Sequence, residues 1–228
     1  MYESPNYEIA FTIMAAGVCV CCYLPANITA FLIVITGYTE SHMLALSEEL
    51  LLLWTDAETS YRENSQSILE HGVSYDKMDF MNEFIRRRLK DIVKRHTLNL
   101  NLLRKLEGVI RGALALEFLI LVVALIAELL AGLENTYLEI PFAMMQVAMD
   151  CLNGQRLLDA SVAFENAVYD CKWENFNSSN MKTVLLMLQT AQKPLTLSAG
   201  GITILNFACL MDVLKSVYSA YTTLRTIV

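Results

Sequence analysis

Two oppositely charged residues, Asp212 and Lys215, interrupt an otherwise apolar C-terminal region. The preceding residues 194–211 carry no charge, and these 18 residues approach the length of a helix that crosses a membrane. Because charge in lipid is costly, an intramembrane pair is by default a site that handles ions or water. Alternatively, the two side chains share one helical face and neutralise each other. Either interpretation predicts that losing one partner is worse than losing both.

Two acidic residues, Glu117 and Glu128, lie in a second apolar stretch, residues 112–133. Their separation of eleven residues places them about three turns apart on nearly one helical face. We therefore expect that face to avoid lipid.

No catalytic or metal-binding pattern accompanies these charges. The three histidines, His42, His71 and His96, are scattered, and the GxSxG, HExxH and Walker motifs are not found. Cys19, Cys21 and Cys22 lie in an apolar run, and the other cysteines are isolated. This arrangement favours apolar packing over a disulfide framework. The sequence predicts no enzyme, cofactor or metal site, and we expect His96 on the surface of a cytoplasmic helix.

Composition indicates a membrane protein. The 228 residues are 55% hydrophobic and 18% charged, with a mean hydropathy of +0.40. The net charge of −7 argues against a nucleic-acid partner, and the polar start does not resemble a signal peptide. The lipid bilayer is the expected surrounding.

Hydropathy predicts four membrane spans joined by polar segments, with a loop between residues 55 and 80. The predicted segments are an extracellular start with the first span (1–39), cytoplasmic helical extensions and the loop (40–111), the second span (112–133), an extracellular turn (134–139), the third span (140–158), a cytoplasmic segment (159–193) and the C-terminal span (194–228). Eleven Lys and Arg residues lie between the first two spans, and four more, counting Arg156 at the end of the third span, precede the last span. The positive-inside rule therefore places the C-terminus outside the cell.

A series of residues in the last third gives a resemblance to a known family. Ala167, Tyr169 and Trp173 fit an A-x-Y-x-x-x-W pattern, and the series continues with Lys193, Pro194, Ala199, Gly200, Lys215, Tyr218 and Ser219. The chain resembles the insect odorant receptor family, whose members have seven helices with the N-terminus inside. Its four spans are similar to the last four, which implies an all-α polytopic membrane protein and a partial receptor sequence.

The resemblance implies an odorant-gated, cation-permeable channel in the plasma membrane of olfactory sensory neurons. It further implies a tetramer with a shared co-receptor, an anchor helix at about residues 180–192, and a pore lined by the C-terminal span. Small side chains recur there at helical spacing, and the gate is expected among Ser216, Ser219, Ala220, Thr223, Thr226 and Ile227. The same stripe would also suit helix packing.

The resemblance also points to an odorant pocket in the extracellular halves of the first and third spans. Its expected residues are Tyr7, Phe11, Met14, Ala15, Val18, Phe142, Met145, Ala148 and Met149. Burial and adaptable Met side chains suit small apolar ligands, although Met and Phe at helical spacing equally suit ordinary packing. Two other functions stay open: a small helical transporter and a non-conducting truncated scaffold.

Overall fold

The computed structural model describes residues 6–68, 76–131 and 139–227. Within these ranges, only the backbone is described for residues 18–22, 66–68, 131, 139 and 227. In chain order, the elements are α1 (Asn6–Ile68), α2 (Lys77–Ala131), α3 (Glu139–Asp170), a 3-10 turn (Trp173–Asn175), α4 (Ser178–Ala191), β1 (Ser198–Ala199), β2 (Thr203–Ile204) and α5 (Phe207–Ile227). The predicted all-α fold is confirmed. The predicted turn 134–139 lies almost entirely outside the described residues.

The loop predicted between residues 55 and 80 is largely wrong. Helix α1 continues to Ile68 and α2 begins at Lys77. The apolar stripe explains the difference, because the buried side chains of Leu53 and Ala57 extend the helical face and Met81 is buried at the start of α2. Polar residues there cover the outer side of a helix.

The C-terminal helix begins at Phe207, well after the start predicted at residue 194. A hairpin precedes it, with Ala199 opposite Thr203, and its turn contains Gly200 and Gly201 at φ +68° and +76°. Only glycine adopts this left-handed region readily, so the turn stops a helix that the apolar composition alone would allow. Asn206 Oδ1 then accepts a hydrogen bond from the Cys209 N–H at 2.8 Å and caps α5.

The chain forms two compact units that share the long helices. The first unit comprises Met1–Gly37, Val109–Gln155 and Leu197–Val228, and the second unit comprises Tyr38–Gly108 and Arg156–Thr196. Helices α1 and α2 therefore each contribute to both units.

The second unit has an apolar core and a charged surface. Leu50, Leu89, Phe164 and Met187, one from each of α1 to α4, lie in one buried cluster. Outside this cluster, ion pairs join Arg88 to Glu49 at 3.0 Å and others connect further exposed side chains. This distribution is that of a protein part surrounded by water.

The first unit shows the opposite distribution. Large apolar side chains such as Phe11, Leu119 and Met145 are more than half exposed, whereas Glu117 and Asp150 are buried. Helices α1 and α2 both contain stretches long and apolar enough to cross a membrane. The boundaries of the third and fourth spans, in α3 and α5, stay predictions.

Candidate functional site

A chain of hydrogen bonds between buried polar side chains joins three helices inside the first unit. Thr29 of α1 donates through Oγ1 to Asp150 Oδ1 of α3 at 2.6 Å. Gln146 of α3 donates through Nε2 to Glu117 Oε1 of α2 at 3.1 Å and also contacts Thr29 Oγ1. Each of these four side chains is at most 7% exposed. We call Thr29, Glu117, Gln146 and Asp150 the polar chain.

Helical spacing positions the polar chain. Gln146 and Asp150 are four residues apart on α3 and therefore point in the same direction, together with the buried Val147. Glu117 belongs to the buried face of α2, as expected from its place in the second span, while Glu128 is half-buried. Thr29 faces inward from α1.

Within the part of the chain that the structure describes, two carboxyl oxygens of the polar chain lack a hydrogen-bond partner. These are Glu117 Oε2 and Asp150 Oδ2. The side-chain amide nitrogen of nearby Asn153, Nδ2, is also buried and has no hydrogen-bond partner among the described residues. Within residues 6–68, 76–131 and 139–227, neither acid forms an ion pair. The hydrogen bonds that are formed couple the three helices, because separating the helices would leave still more of these buried groups unsatisfied.

The residues predicted to bind odorant mostly face outward. Tyr7 and Phe11 stack on the exposed side of α1, with ring centroids 6.4 Å apart, and Phe142 and Met145 are exposed on α3. Ala15 and Met14 are exposed, Ala148 and Met149 are half-buried, and the side chain of Val18 lies outside the described residues. None of these residues lines the cavities of about 250, 420 and 440 Å³ that the described residues form elsewhere in the chain. Their role in binding a ligand therefore stays a prediction.

The predicted gate stripe lies largely on the exposed side of α5. Ser216, Ser219, Thr223 and Thr226 are exposed, Ala220 is half-buried, and the Ile227 side chain is not described. Thr223 donates to the Ser219 carbonyl at 2.8 Å, and Thr226 donates to the Thr223 carbonyl at 2.6 Å. The helix satisfies both hydroxyl protons, which leaves oxygen lone pairs and methyl groups on the surface.

Asp212 and Lys215 are both exposed on α5, and within the described part of the chain neither has an ion-pair partner within 4.0 Å. The neutralised pair expected from their spacing is therefore not formed. Asp212 and Ser216 instead line a cavity of about 420 Å³ together with Ala115, Phe118 and Thr203. Sequence spacing could not find this cavity, because it depends on the hairpin before α5.

The family-signature residues occupy three places. The Trp173 indole donates to the Tyr169 carbonyl at 3.1 Å, and both side chains line an apolar groove of about 250 Å³ beside α4. Lys193 and Pro194 line a separate groove at the end of α4. Tyr218 and Ser219 are exposed on α5.

His96 is buried in the second unit, which corrects the surface position expected from the sequence. Its ring stacks on Phe164 with centroids 4.3 Å apart, and neither ring nitrogen has a hydrogen-bond partner among the described residues. Burial lowers the pKa of His96 to about 4. The signal was present in the sequence, because His96 follows the apolar stripe of Leu89 and Ile92 at helical spacing.

Known proteins match most of the chain. The family model described as "7tm Odorant receptor" matches residues 1–218. Odorant receptor 22c of Drosophila melanogaster is 27% identical over 165 residues, covering 68% of this chain and 41% of that receptor. Putative odorant receptor 85d of the same fly is 33% identical over 84 residues, covering 37% of this chain and 20% of that protein. The chain thus spans less than half the length of these relatives.

A solved structure shows the same fold. The insect olfactory receptor OR5 from Machilis hrabei, in complex with eugenol, superposes with a TM-score of 0.58 at 13% sequence identity. The superposition covers 91% of this chain and 70% of that receptor. This likeness confirms the predicted class of helical membrane protein.

Proposed function

The chain belongs to the insect odorant receptor family, and from this premise we propose that it forms part of an odorant-gated, cation-permeable channel subunit. The observation that carries the proposal is the family match, which runs from residue 1 through α1, α2, α3 and α4 into α5. Odorant receptor function is the part of the proposal that this membership supports directly. Channel gating, the co-receptor and the ligand are its further parts.

The proposed ligand is a small, volatile, largely apolar molecule. The related receptor from Machilis hrabei was solved with eugenol, and this chain exposes Phe11, Met14, Phe142 and Met145 in the first unit. Such side chains would bind a small molecule by dispersion and burial once other helices cover them. We assign the predicted pocket to this surface.

The proposed pore is lined by the exposed stripe of α5. In a tetramer with the co-receptor, Ser219 would face water, and Thr223 and Ile227 would form the constriction with Thr226 beside them. Threonine hydroxyls bound to their own helix keep an oxygen lone pair for a passing cation. The subunit would reside in the plasma membrane of olfactory sensory neurons, with its C-terminus outside, as the Lys and Arg bias predicts.

Electrical recording of the receptor that carries this sequence, expressed with the co-receptor, tests the proposal. We expect odour-evoked cation current, and we expect Thr223→Leu to lower it while surface delivery is unchanged. The matched control is Thr222→Leu, one position off the stripe, which should conduct normally. Substrate uptake without current would indicate a transporter, and silence at normal surface levels would indicate a scaffold.

A further inference from the structure

A cavity of about 440 Å³ opens in the second unit between α2 and the segment that follows α4. We call it the basic groove. Its walls come from two parts of the chain: Leu100, Leu103, Arg104 and Glu107 of α2, and Gln189, Thr190, Lys193, Pro194, Leu195 and Thr196. The pore, pocket and gate assigned above use none of these residues.

Two cations give the basic groove its charge. Arg104 and Lys193 are both exposed, and neither has an ion-pair partner in the described part of the chain. Arg88 and Arg95, also in the second unit, instead both pair with Glu49. The one acid in the wall, Glu107, is half-buried. The groove therefore presents two positive side chains and one acid, an excess of one positive charge, to an anion.

The rest of the wall is divided between apolar and hydrogen-bonding groups. Leu103 is buried at the base and Leu195 is half-buried, while Gln189 is exposed on the same wall. An inorganic ion would use only the charged and polar side. A molecule with an anionic head and an apolar tail would use both, so the wall chemistry favours an amphipathic ligand.

The position along the sequence supports the same ligand. Arg104 precedes the predicted second span by eight residues, about 12 Å along α2 at the helical rise. Lys193 lies two residues after the end of α4 and lines the same groove as Arg104. The excess of Lys and Arg assigns both residues to the cytoplasmic side, where the leaflet carries anionic lipids.

We propose that the basic groove binds the phosphate headgroup of an anionic phospholipid of the inner leaflet. Arg104 and Lys193 hold the phosphate oxygens, Gln189 donates to the headgroup, and the leucines cover the upper part of an acyl chain. Arginine suits the phosphate because its planar guanidinium can make two parallel hydrogen bonds.

The test is binding of a fluorescent short-chain phosphatidylinositol bisphosphate to the purified full chain in uncharged detergent. In the double variant Arg104→Gln/Lys193→Gln, we expect the dissociation constant to rise about 25-fold, since each basic side chain near a lipid surface contributes roughly fivefold. The matched control Lys105→Gln/Lys182→Gln removes the same charge from exposed sites outside the groove. It should change binding by less than about threefold.

The controls separate the possible results. Equal weakening in both double variants would overturn the proposal, because it would show attraction to net charge alone. Inositol trisphosphate, which has the phosphates but no tails, distinguishes the source of the anion. Binding as tight as that of the lipid would overturn the lipid assignment in favour of a soluble phosphate. Helical circular dichroism of each variant verifies that the groove is still folded.

Discussion

The two units of this receptor chain place polar and apolar side chains in opposite ways. In the second unit, Phe164 and Leu50 are buried, and Arg88 forms an ion pair at the surface. In the first unit, Leu119 and Val123 are exposed and the polar chain is buried. Each unit is organised for a different solvent, water in one case and lipid in the other.

Helix α1 shows that this change occurs within one continuous element. Toward its start, Thr29 is buried and Val34 is 69% exposed, whereas further along Leu50 is fully buried. Because no break separates these residues, the surrounding solvent and not the secondary structure decides which side chains face inward. The consequence is that stability should depend on apolar packing in the second unit and on hydrogen bonds in the first.

The largest expected effect is loss of the central aromatic residue of the second unit. Phe164 is fully buried, so Phe164→Ala should lower the free energy of unfolding by about 3–5 kcal/mol through lost burial and a cavity. Denaturation in mixed micelles measures this change. The control Leu186→Ala, at a side chain 63% exposed, should cost under about 0.5 kcal/mol. Similar losses in both variants would contradict a water-type core in this unit.

Acid should weaken the second unit through His96. Burial lowers the pKa of His96 to about 4. Between pH 6.5 and 4, the unfolded chain therefore binds a proton at His96 that the folded chain does not bind. Stability is therefore present at neutral pH and is lost as the pH falls through this window, by an amount on the order of 3 kcal/mol.

The matched variant for this effect is His96→Leu, which keeps an apolar side chain against Phe164 but cannot titrate. Thermal unfolding of both proteins between pH 7 and 4 gives the comparison, and the difference between them removes the contribution of other acids. If the two proteins lose stability in parallel, His96 is not the buried neutral group that the structure describes.

A tight contact between α3 and the segment before α5 gives an intermediate effect in the first unit. A Cβ added to Gly154 would lie 2.1 Å from the Leu205 carbonyl oxygen, so backbone would have to move. We expect Gly154→Ala to cost about 1–3 kcal/mol in thermal unfolding. At Gly112 an added Cβ meets nothing within 4 Å, so Gly112→Ala should be neutral or slightly stabilising. Equal behaviour of the two variants would rule out this close approach.

Much of the architecture was predictable because lipid imposes long apolar helices. The charge-free residues 9–39 and the apolar stretch 112–133 predicted helices in α1 and α2 that are long and apolar enough to cross a membrane, and the burial of Glu117 follows from the cost of an acid in lipid. The helix expected at about residues 180–192 is observed at Ser178–Ala191, while its role as an anchor stays a prediction. Periodicity and solvent are sufficient for these elements.

Features that depend on specific turns or on contacts between helices were not predictable in this way. The hairpin turn at Gly200 and Gly201 lies in an uncharged run that reads as one helix. The apolar stripe of α2 indicates the inward position of His96, but its stacking partner Phe164 belongs to α3 and is not contained in that pattern. The polar chain needs the register of three helices, which no single-helix pattern contains, and the ligand pocket stays a prediction.

The smallest expected effect concerns the polar chain and tests the role of hydrogen bonds in the first unit. Thr29→Val keeps the shape of the side chain but removes the 2.6 Å hydrogen bond to Asp150 Oδ1, leaving a buried carboxyl with no donor from α1. The loss should be about 1–2 kcal/mol. Asp150→Leu alone should also be harmful, because it leaves the Thr29 hydroxyl buried without its acceptor.

A double-mutant cycle distinguishes this hydrogen bond from simple packing. Thr29→Val/Asp150→Leu removes both polar partners, so the combined loss should be smaller than the sum of the single losses by about 1 kcal/mol. Unfolding in mixed micelles measures all four proteins. Strict additivity would mean that the two side chains do not interact. The first unit would then depend on apolar packing, as the second does, and the contrast between the units would be confined to their surfaces.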